Sequence, residues 1–248
     1  MNSLVLCEGK TDAILISYIL INQYGYKVYK EGKNTKKQMT PKYDTNNDEY
    51  AFWYAKNNSY VLVCSVGGCD NFSNFFKKYI FPIQKNDYKE ENIFEKILLI
   101  HDKDLKDNKE IENTLLKNTT IEFKSNKWAN VSMETAFTNQ KSNFKTYLLV
   151  IPLEQSGALE DVVLSALAED KMNEVVVKRS IEYVDSIKEL ARAFLSKRRY
   201  ISKAKLGVTF AIMSPEKVFS FIDELLKAVD WTKYDVINET FNVLKELE

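Results

Sequence analysis

The sequence LVLCEGKTD, residues 4–12, indicates the fold class. It begins as an apolar run of β-strand length and reaches an acidic residue, Glu8, where the apolar run stops. The next residues, DAILISYIL at 12–20, are long and apolar enough for a helix. A second run, ILLIHDKD at 97–104, also places acids directly after an apolar strand. The two segments predict strands of one α/β sheet with an active site at the carboxyl ends of its strands.

Three acids, Glu8, Asp102 and Asp104, meet at this edge of the predicted sheet. Their like charges would raise one another's pKa values unless a cation lay between them. Carboxylate oxygens suit hard divalent cations, so the sequence predicts a Mg²⁺ or Mn²⁺ site. Two such cations about 3.5 to 4 Å apart polarise a phosphodiester and activate water, and no nucleophilic side chain is then required.

The composition is that of a globular protein with a sizeable core, since 45% of the 248 residues are hydrophobic. Lys plus Arg and Asp plus Glu both number 35, and the net charge of zero provides no overall field to attract a polyanion. A nucleic-acid partner must therefore be held by local basic patches. Residues 26–43 and 197–205 are the two candidates, and each is equally well explained as a solvated loop or helix face.

The three cysteines, Cys7, Cys64 and Cys69, are an odd number without paired spacing. We interpret them as free thiols in a reducing cytoplasm. The single histidine, His101, does not make a zinc-binding spacing with them, and we interpret it as a hydrogen-bonded histidine at a strand end. The longest apolar run is well short of the roughly 20 residues of a membrane span, and no secretory leader opens the chain. We therefore expect a cytoplasmic protein without a membrane partner.

Two parts are predicted along the chain: an α/β core at residues 1–154 and a helical part at 155–248 that packs on the core. The core contains a polar insert at 26–58, rich in Lys and Asn, which we expect to form a loop or hairpin. Further strands are predicted at 60–66, 120–123, 130–137 and 146–153, and helices at 70–79 and 106–117, the first of which Pro82 ends.

These motifs resemble a Toprim domain, the metal-binding fold of topoisomerases, bacterial primases, ribosomal-RNA maturases and OLD-type nucleases. The resemblance rests on EGKTD at 8–12, on DKD at 102–104 and on the Gly67-Gly68 turn between them. The rest of the chain is similar to a stand-alone Toprim-like family related to the OLD nucleases, through GALED at 157–161 and KAKL at 203–206. The resemblance implies a Rossmann-like, mostly parallel sheet flanked by helices, with a mainly helical C-terminal third.

The resemblance also implies roles for particular residues. Glu8 and Asp102 would bind divalent metal, with Asp104 beside them. Asp12 would be a further metal ligand one helical turn from Glu8, or alternatively a helix-start residue that complements the helix dipole.

OLD-type enzymes add a downstream acid for a second metal position and a lysine that neutralises phosphate charge. In this sequence either Glu160 or Asp161 would supply the acid, and either Lys203 or Lys205 the lysine. The alternative for the acids is a favourable charge interaction in the first turn of a helix. The alternative for the lysines is an ordinary surface position.

The favoured function is a metal-dependent nuclease that cleaves DNA or RNA phosphodiester bonds, and the OLD-type resemblance implies defence against phage or other foreign nucleic acid. Two alternatives stay open. A phosphatase or nucleotide-processing hydrolase would use Asp102 as a nucleophile and would leave Glu8 without a role. A non-catalytic nucleic-acid-binding module would use the acids to hold a structural cation. The sequence also leaves open whether the chain forms a homo-oligomer.

Overall fold

A computed structural model describes residues 1–29, 39–41, 50–85, 93–136, 140–218 and 222–248. The chain divides into two compact units, of which the first comprises Met1–Val150 with Val243–Glu248 and the second comprises Ile151–Asn242. Among the described residues, no helix combines the length and the apolar character needed to cross a membrane.

The first unit contains a seven-stranded sheet. Its strands are β1 (Asn2–Cys7), β2 (Lys27–Val28), β3 (Ala51–Lys56), β4 (Ser59–Ser65), β5 (Lys96–Asp102), β6 (Trp128–Glu134) and β7 (Lys141–Ile151). The strand order is β2-β3-β4-β1-β5-β7-β6. The central pairs β4/β1 and β1/β5 are parallel, whereas β2/β3, β3/β4 and β6/β7 are antiparallel. The α/β class and the parallel pairing of the two strands that carry the acidic motifs are confirmed.

Helices cover both faces of the central strands, which explains why the apolar runs of β1, β4 and β5 are continuous instead of alternating. Helix α1 (Lys10–Asn22) contacts β1 and β4. The opposite face packs against the helical segment α2 (Cys69–Gln84) and helix α3 (Asn108–Thr119). Buried phenylalanines of α2 and buried aliphatic side chains of α3 form one cluster with β1, β4 and β5.

The segment α2 continues beyond the end predicted for it at Tyr79. It is 3₁₀-helical at Cys69–Asn71, α-helical at Phe72–Phe75, π-helical at Phe76–Ile80 and α-helical again at Phe81–Gln84. The prediction that Pro82 ends the helix is therefore wrong. Pro82 lies in the first turn of the α-helical segment that directly follows the π-helical turn.

Residues 120–123 do not form the predicted strand, so that prediction is also wrong. Thr120 ends α3 with a left-handed backbone, φ 59°, and donates its N–H to the carbonyl oxygen of Leu116 at 2.8 Å. Ile121 and Phe123 are buried. Their alternating pattern reflects the packing of an irregular segment into the core, which periodicity does not distinguish from a strand.

The insert predicted at 26–58 contributes β2 and β3 to one edge of the sheet. Most of the basic patch predicted at 26–43 lies outside the described residues. Its role in nucleic-acid binding stays a prediction.

The second unit, in the part that the structure describes beyond β7, is built from helices. They are α4 (Leu159–Leu167), α5 (Lys171–Ile187), α6 (Arg198–Met213), α7 (Ile222–Lys227) and α8 (Asp235–Thr240), with 3₁₀ helices at Pro215–Lys217 and Trp231–Lys233. A last 3₁₀ helix, Asn242–Leu247, belongs to the first unit except for its first residue. The helical periodicity predicted for this part of the chain is confirmed. Helix α5 begins at an N-cap aspartate, Asp170, whose carboxylate accepts from the N–H of Met172 at 2.9 Å.

Candidate metal centre

Three parallel neighbours, β4, β1 and β5, end at the same edge of the sheet. Their register aligns Leu6 of β1 with Cys64 of β4 and with Leu99 of β5. The residues that follow each strand are therefore brought close together, although they are far apart in the sequence. This edge carries Glu8 after β1, the Gly67-Gly68 turn after β4 and the HDKD motif at the end of β5.

Glu8 is a mostly buried and strongly perturbed acid of this edge. Its Oε1 accepts a hydrogen bond from the main-chain N–H of Asp102 at 3.0 Å, and its side chain is 16% exposed. Burial, together with the charges of Asp12 and Asp104, raises the pKa of Glu8 from 4.5 to about 8, against the opposing effects of the Asp102 hydrogen bond and of Lys106. The surroundings of the carboxyl group therefore disfavour its ionised form.

His101 contacts Glu8, whereas the sequence predicted only a hydrogen-bonded histidine beside the acids. Its Nδ1 lies 2.6 Å from the carbonyl oxygen of Asp102 and 3.1 Å from Oε1 of Glu8. Because a carbonyl oxygen only accepts, the hydrogen is assigned to Nδ1. Burial lowers the pKa of His101, and the hydrogen bond to Asp102 partly opposes this effect. The ring packs against Phe72, with the ring centroids 6.1 Å apart.

Cys69 reaches this edge through the Gly67-Gly68 turn. Both glycines have positive φ values, 77° and 118°, which a residue with a side chain rarely adopts. The N–H of Gly68 donates to the carbonyl oxygen of Glu8 at 2.8 Å, so the turn is attached directly to the end of β1. The thiol is half-buried, and burial, followed by the charge of Glu8, raises the pKa of Cys69.

Glu8, Cys69 and His101 form a group of potential metal ligands. Each residue offers one ligand atom, and the three ligand atoms all lie within 4.8 Å of one another. In the residues that the structure describes, no other group of three His, Cys, Asp or Glu side chains meets this criterion. Local spacing in the sequence does not identify Cys69 and His101 as partners of Glu8. The available signal was the position of Cys69 after β4 and of His101 at the end of β5, the two strands that flank β1.

The structure places Asp102 and Asp104 at this edge but outside that group. Asp102 is half-buried, and its contact with Glu8 is made by the main chain. Asp104 is exposed and has a left-handed backbone, φ 48°. Its charge raises the pKa of Glu8 and also contributes to the raised pKa of Cys69. Their role as metal ligands stays a prediction.

Asp12 acts as a cap for the start of α1. Its Oδ2 accepts from the main-chain N–H of Gly9 at 2.8 Å, which is one half of a capping box. This contact supports the helix-start alternative. The negative charge of Asp12 also raises the pKa of Glu8.

The acids and lysines predicted from the later motifs lie in the second unit. Glu160 and Lys203 are brought together, with Oε1 and Nζ 3.6 Å apart. Lys205 pairs instead with Asp185, whose Oδ1 lies 3.0 Å from its Nζ. Both lysines therefore have acidic partners within their own unit.

Asp161 has a structural role in the GALED motif. Its Oδ2 accepts from the N–H of Ala158 at 2.9 Å at the start of α4. A side chain at Gly157 would approach Oδ2 of Asp161 to 2.8 Å and Cγ of Pro152 to 2.9 Å, so a glycine is required there. The motif is thus explained locally by the helix start, and its role in a second metal position stays a prediction.

The oxygen donors of this edge fit a divalent cation in one respect. Burial raises the pKa of Glu8, and a cation beside this carboxyl group would favour its charged form. Glu8, Asp102 and Asp104 are the residues that would hold a hard ion. The group of three contains one oxygen, one sulfur and one nitrogen donor, which is a softer set than Mg²⁺ prefers.

A family described as "Protein of unknown function (DUF3226)" matches residues 2–246 of the chain. The chain belongs to the DUF3226 family. The match spans both units and therefore includes the strand ends and the helical part. No curated protein matches the chain.

The chain is also similar to a solved structure, the crystal structure of the hypothetical protein PH0156 from Pyrococcus horikoshii OT3. The two share 16% sequence identity, and the match covers 99% of this chain and 97% of that one, with a TM-score of 0.53. At this level of identity the similarity concerns the fold alone.

Proposed function

We propose that the chain is a divalent-metal-dependent hydrolase of nucleic-acid phosphodiester bonds. The observation that carries the proposal is the meeting of Glu8 and the HDKD motif at the carboxyl ends of adjacent parallel strands, with the Asp102 N–H 3.0 Å from Oε1 of Glu8. Ligands of open α/β sheets bind at such an edge. The Toprim resemblance of the same two motifs supports the proposal independently of the geometry.

The residues of the first unit have defined tasks in this function. Glu8, Asp102 and Asp104 bind a Mg²⁺ or Mn²⁺ ion, and the Asp102 N–H and His101 orient the Glu8 carboxylate towards it. When bound, such an ion polarises a phosphoryl oxygen and lowers the pKa of water. The acids of this edge would repel a phosphate group unless a cation lay among them, which supports metal dependence.

Lys106 is the basic residue that we assign to phosphate binding at this edge. Its charge lowers the pKa of both Glu8 and Cys69, which indicates that it lies near enough to affect the whole group. A lysine in this position offsets the charge that develops on phosphoryl oxygens. Lys203 or Lys205 would add a second positive charge if the OLD-type resemblance extends to the second unit.

The test is a cleavage screen with the purified chain. Double-stranded DNA, single-stranded DNA and RNA are incubated with Mg²⁺, with Mn²⁺ or with a chelator, beside a phosphodiester and a phosphomonoester of nitrophenol. We expect cleavage of at least one nucleic acid with a metal ion and none with the chelator. Hydrolysis of the monoester alone would favour the phosphatase alternative, and inactivity on all of these substrates would contradict the proposal.

Two variant pairs assign the activity to this edge. Glu8→Gln should lose most of the activity, while Glu110→Gln, which changes an exposed acid of α3, should keep it. Lys106→Gln should lower the rate, while Lys109→Gln should not. Equal effects within either pair would indicate a contaminating nuclease or a site elsewhere.

A further inference from the structure

We propose that Glu8, Cys69 and His101 form a binding site for a thiophilic transition-metal ion of the Zn²⁺ class. This inference goes beyond the proposed function, because it concerns a different donor set and a different class of ion. It shares Glu8 with the oxygen site, and it does not require that the chain cleave nucleic acids.

The distances suit such an ion. Zinc bonds of about 2.0 to 2.3 Å in a tetrahedral site place neighbouring ligand atoms roughly 3.3 to 3.8 Å apart. The three ligand atoms already lie within 4.8 Å of one another. The upper bound of 4.8 Å exceeds those separations by about 1 to 1.5 Å, a difference that side-chain movement on binding would have to close.

The donor set decides the class of ion. A thiolate and an imidazole bind Zn²⁺ and related ions strongly, whereas Mg²⁺ selects oxygen ligands. Cys7 and Cys64 are fully buried, and Cys69 is the free cysteine with exposed surface through which an ion reaches the sulfur. Three protein ligands leave a fourth position open, as in zinc sites that act on a substrate.

The surrounding hydrogen bonds hold the three ligands in place before an ion binds. The Asp102 N–H orients Glu8, and the Asp102 carbonyl oxygen accepts from Nδ1 of His101. The ring nitrogen that lies 3.1 Å from Oε1 of Glu8 is this same Nδ1, so binding of the ion by Nδ1 would release its hydrogen and replace the hydrogen bond to Asp102. The hydrogen bond from Gly68 to Glu8 attaches the Cys69 turn to the same strand end.

The experiment is a Co²⁺ titration of the full chain, kept reduced and freed of metal by a chelator. Co²⁺ bound to a thiolate gives sulfur-to-cobalt charge-transfer absorption in the near ultraviolet, so the readout does not depend on catalysis. We expect this absorption to saturate at one ion per chain, to disappear when Zn²⁺ is added and to persist in excess Mg²⁺.

Three variants identify the ligands. Cys69→Ser should abolish the charge-transfer absorption, and His101→Ala should weaken Co²⁺ binding by more than the roughly 10- to 100-fold that loss of an outer-shell partner costs. Glu110→Gln, which changes an exposed acid of α3 outside both donor sets, is the matched control and should retain the absorption. Thermal unfolding of each variant verifies that the fold is retained.

The outcomes separate this inference from the proposed function. Thiolate absorption without nucleic-acid cleavage would support the thiophilic site and contradict the proposed function. Metal-dependent cleavage by the wild type, with no thiolate absorption or with an unchanged spectrum in Cys69→Ser, would overturn the inference alone.

Discussion

At the scale of single residues, Glu8 determines how this edge responds to pH and to cations. Its carboxyl group is buried beside other acids, and its pKa rises to about 8. A raised carboxyl pKa means that the folded chain binds a proton that the unfolded chain has already released. The contribution of Glu8 to the free energy of unfolding therefore falls as pH rises from about 4.5 to about 8. It is largest below about pH 4.5.

The first prediction follows from this linkage. Without divalent ions, the contribution of Glu8 to the free energy of unfolding should fall between about pH 5 and pH 8, and Glu8→Gln should remove that part of the slope. Denaturant unfolding at several pH values, with Glu110→Gln as the control, measures the difference. Parallel pH profiles in the wild type and Glu8→Gln would show that Glu8 ionises normally.

A second prediction separates the two roles of Asp12. Asp12→Ala removes the cap of α1 and should cost about 0.5 to 2 kcal/mol of stability, whereas Asp12→Asn keeps a capping side chain and should cost less. If the contact with Gly9 is its main role, both variants should bind Mn²⁺ with nearly wild-type affinity. Calorimetry that shows a large loss of Mn²⁺ binding in Asp12→Asn would establish Asp12 as a ligand instead.

The sequence was sufficient to predict part of this edge. Glu8, Asp102 and Asp104 follow apolar strands directly, so a local pattern identifies them. Cys69 and His101 required the strand order, because nothing in their separation along the chain indicates that they meet. The interpretation of His101 as a hydrogen-bonded strand-end histidine missed its contact with Glu8 for the same reason.

At the scale of secondary-structure elements, the predictions succeeded where burial on both faces made the apolar pattern continuous. The strands β1, β4 and β5 are of this kind. They failed at residues 120–123 and at Pro82, where a left-handed residue and a π-helical turn decide the local backbone. Neither feature has a periodic signature in the sequence.

A third prediction concerns the turn between β4 and α2. Gly68→Ala places a side chain at φ 118°, which should cost about 1 to 3 kcal/mol and displace Cys69 from Glu8. Gly207→Ala in the middle of α6 is the matched control, since its added methyl group meets no atom within 4 Å and should stabilise the helix by about 0.5 to 1 kcal/mol. Thermal unfolding and Co²⁺ binding should both fall in Gly68→Ala only.

A fourth prediction concerns α6 and its lysines. If Lys203 stabilises charge in the transition state, Lys203→Ala should slow cleavage by about 10²-fold or more without weakening metal binding. If it only pairs with Glu160, removal of either partner should change stability by less than about 1 kcal/mol and leave the rate unchanged. The same comparison applies to Lys205 and its partner, Asp185.

At the scale of the whole molecule, the balance of charges limits how a polyanion is captured. The net charge is zero, so long-range steering is weak and binding depends on local basic residues. In the proposed function, the acids at the ends of β1 and β5 would need a cation among them before this edge accepts phosphate. The proposed function therefore depends on one claim, that the carboxylates at the ends of β1 and β5 bind a divalent cation.

Calorimetric titration of Mn²⁺ into wild type and Asp102→Ala tests that claim most directly. The substitution keeps the main-chain N–H that contacts Glu8 and removes only the carboxylate. We predict a sharp loss of Mn²⁺ affinity with equal or higher thermal stability in the absence of metal, because like-charge repulsion is relieved. Undiminished Mn²⁺ affinity in Asp102→Ala would contradict the account.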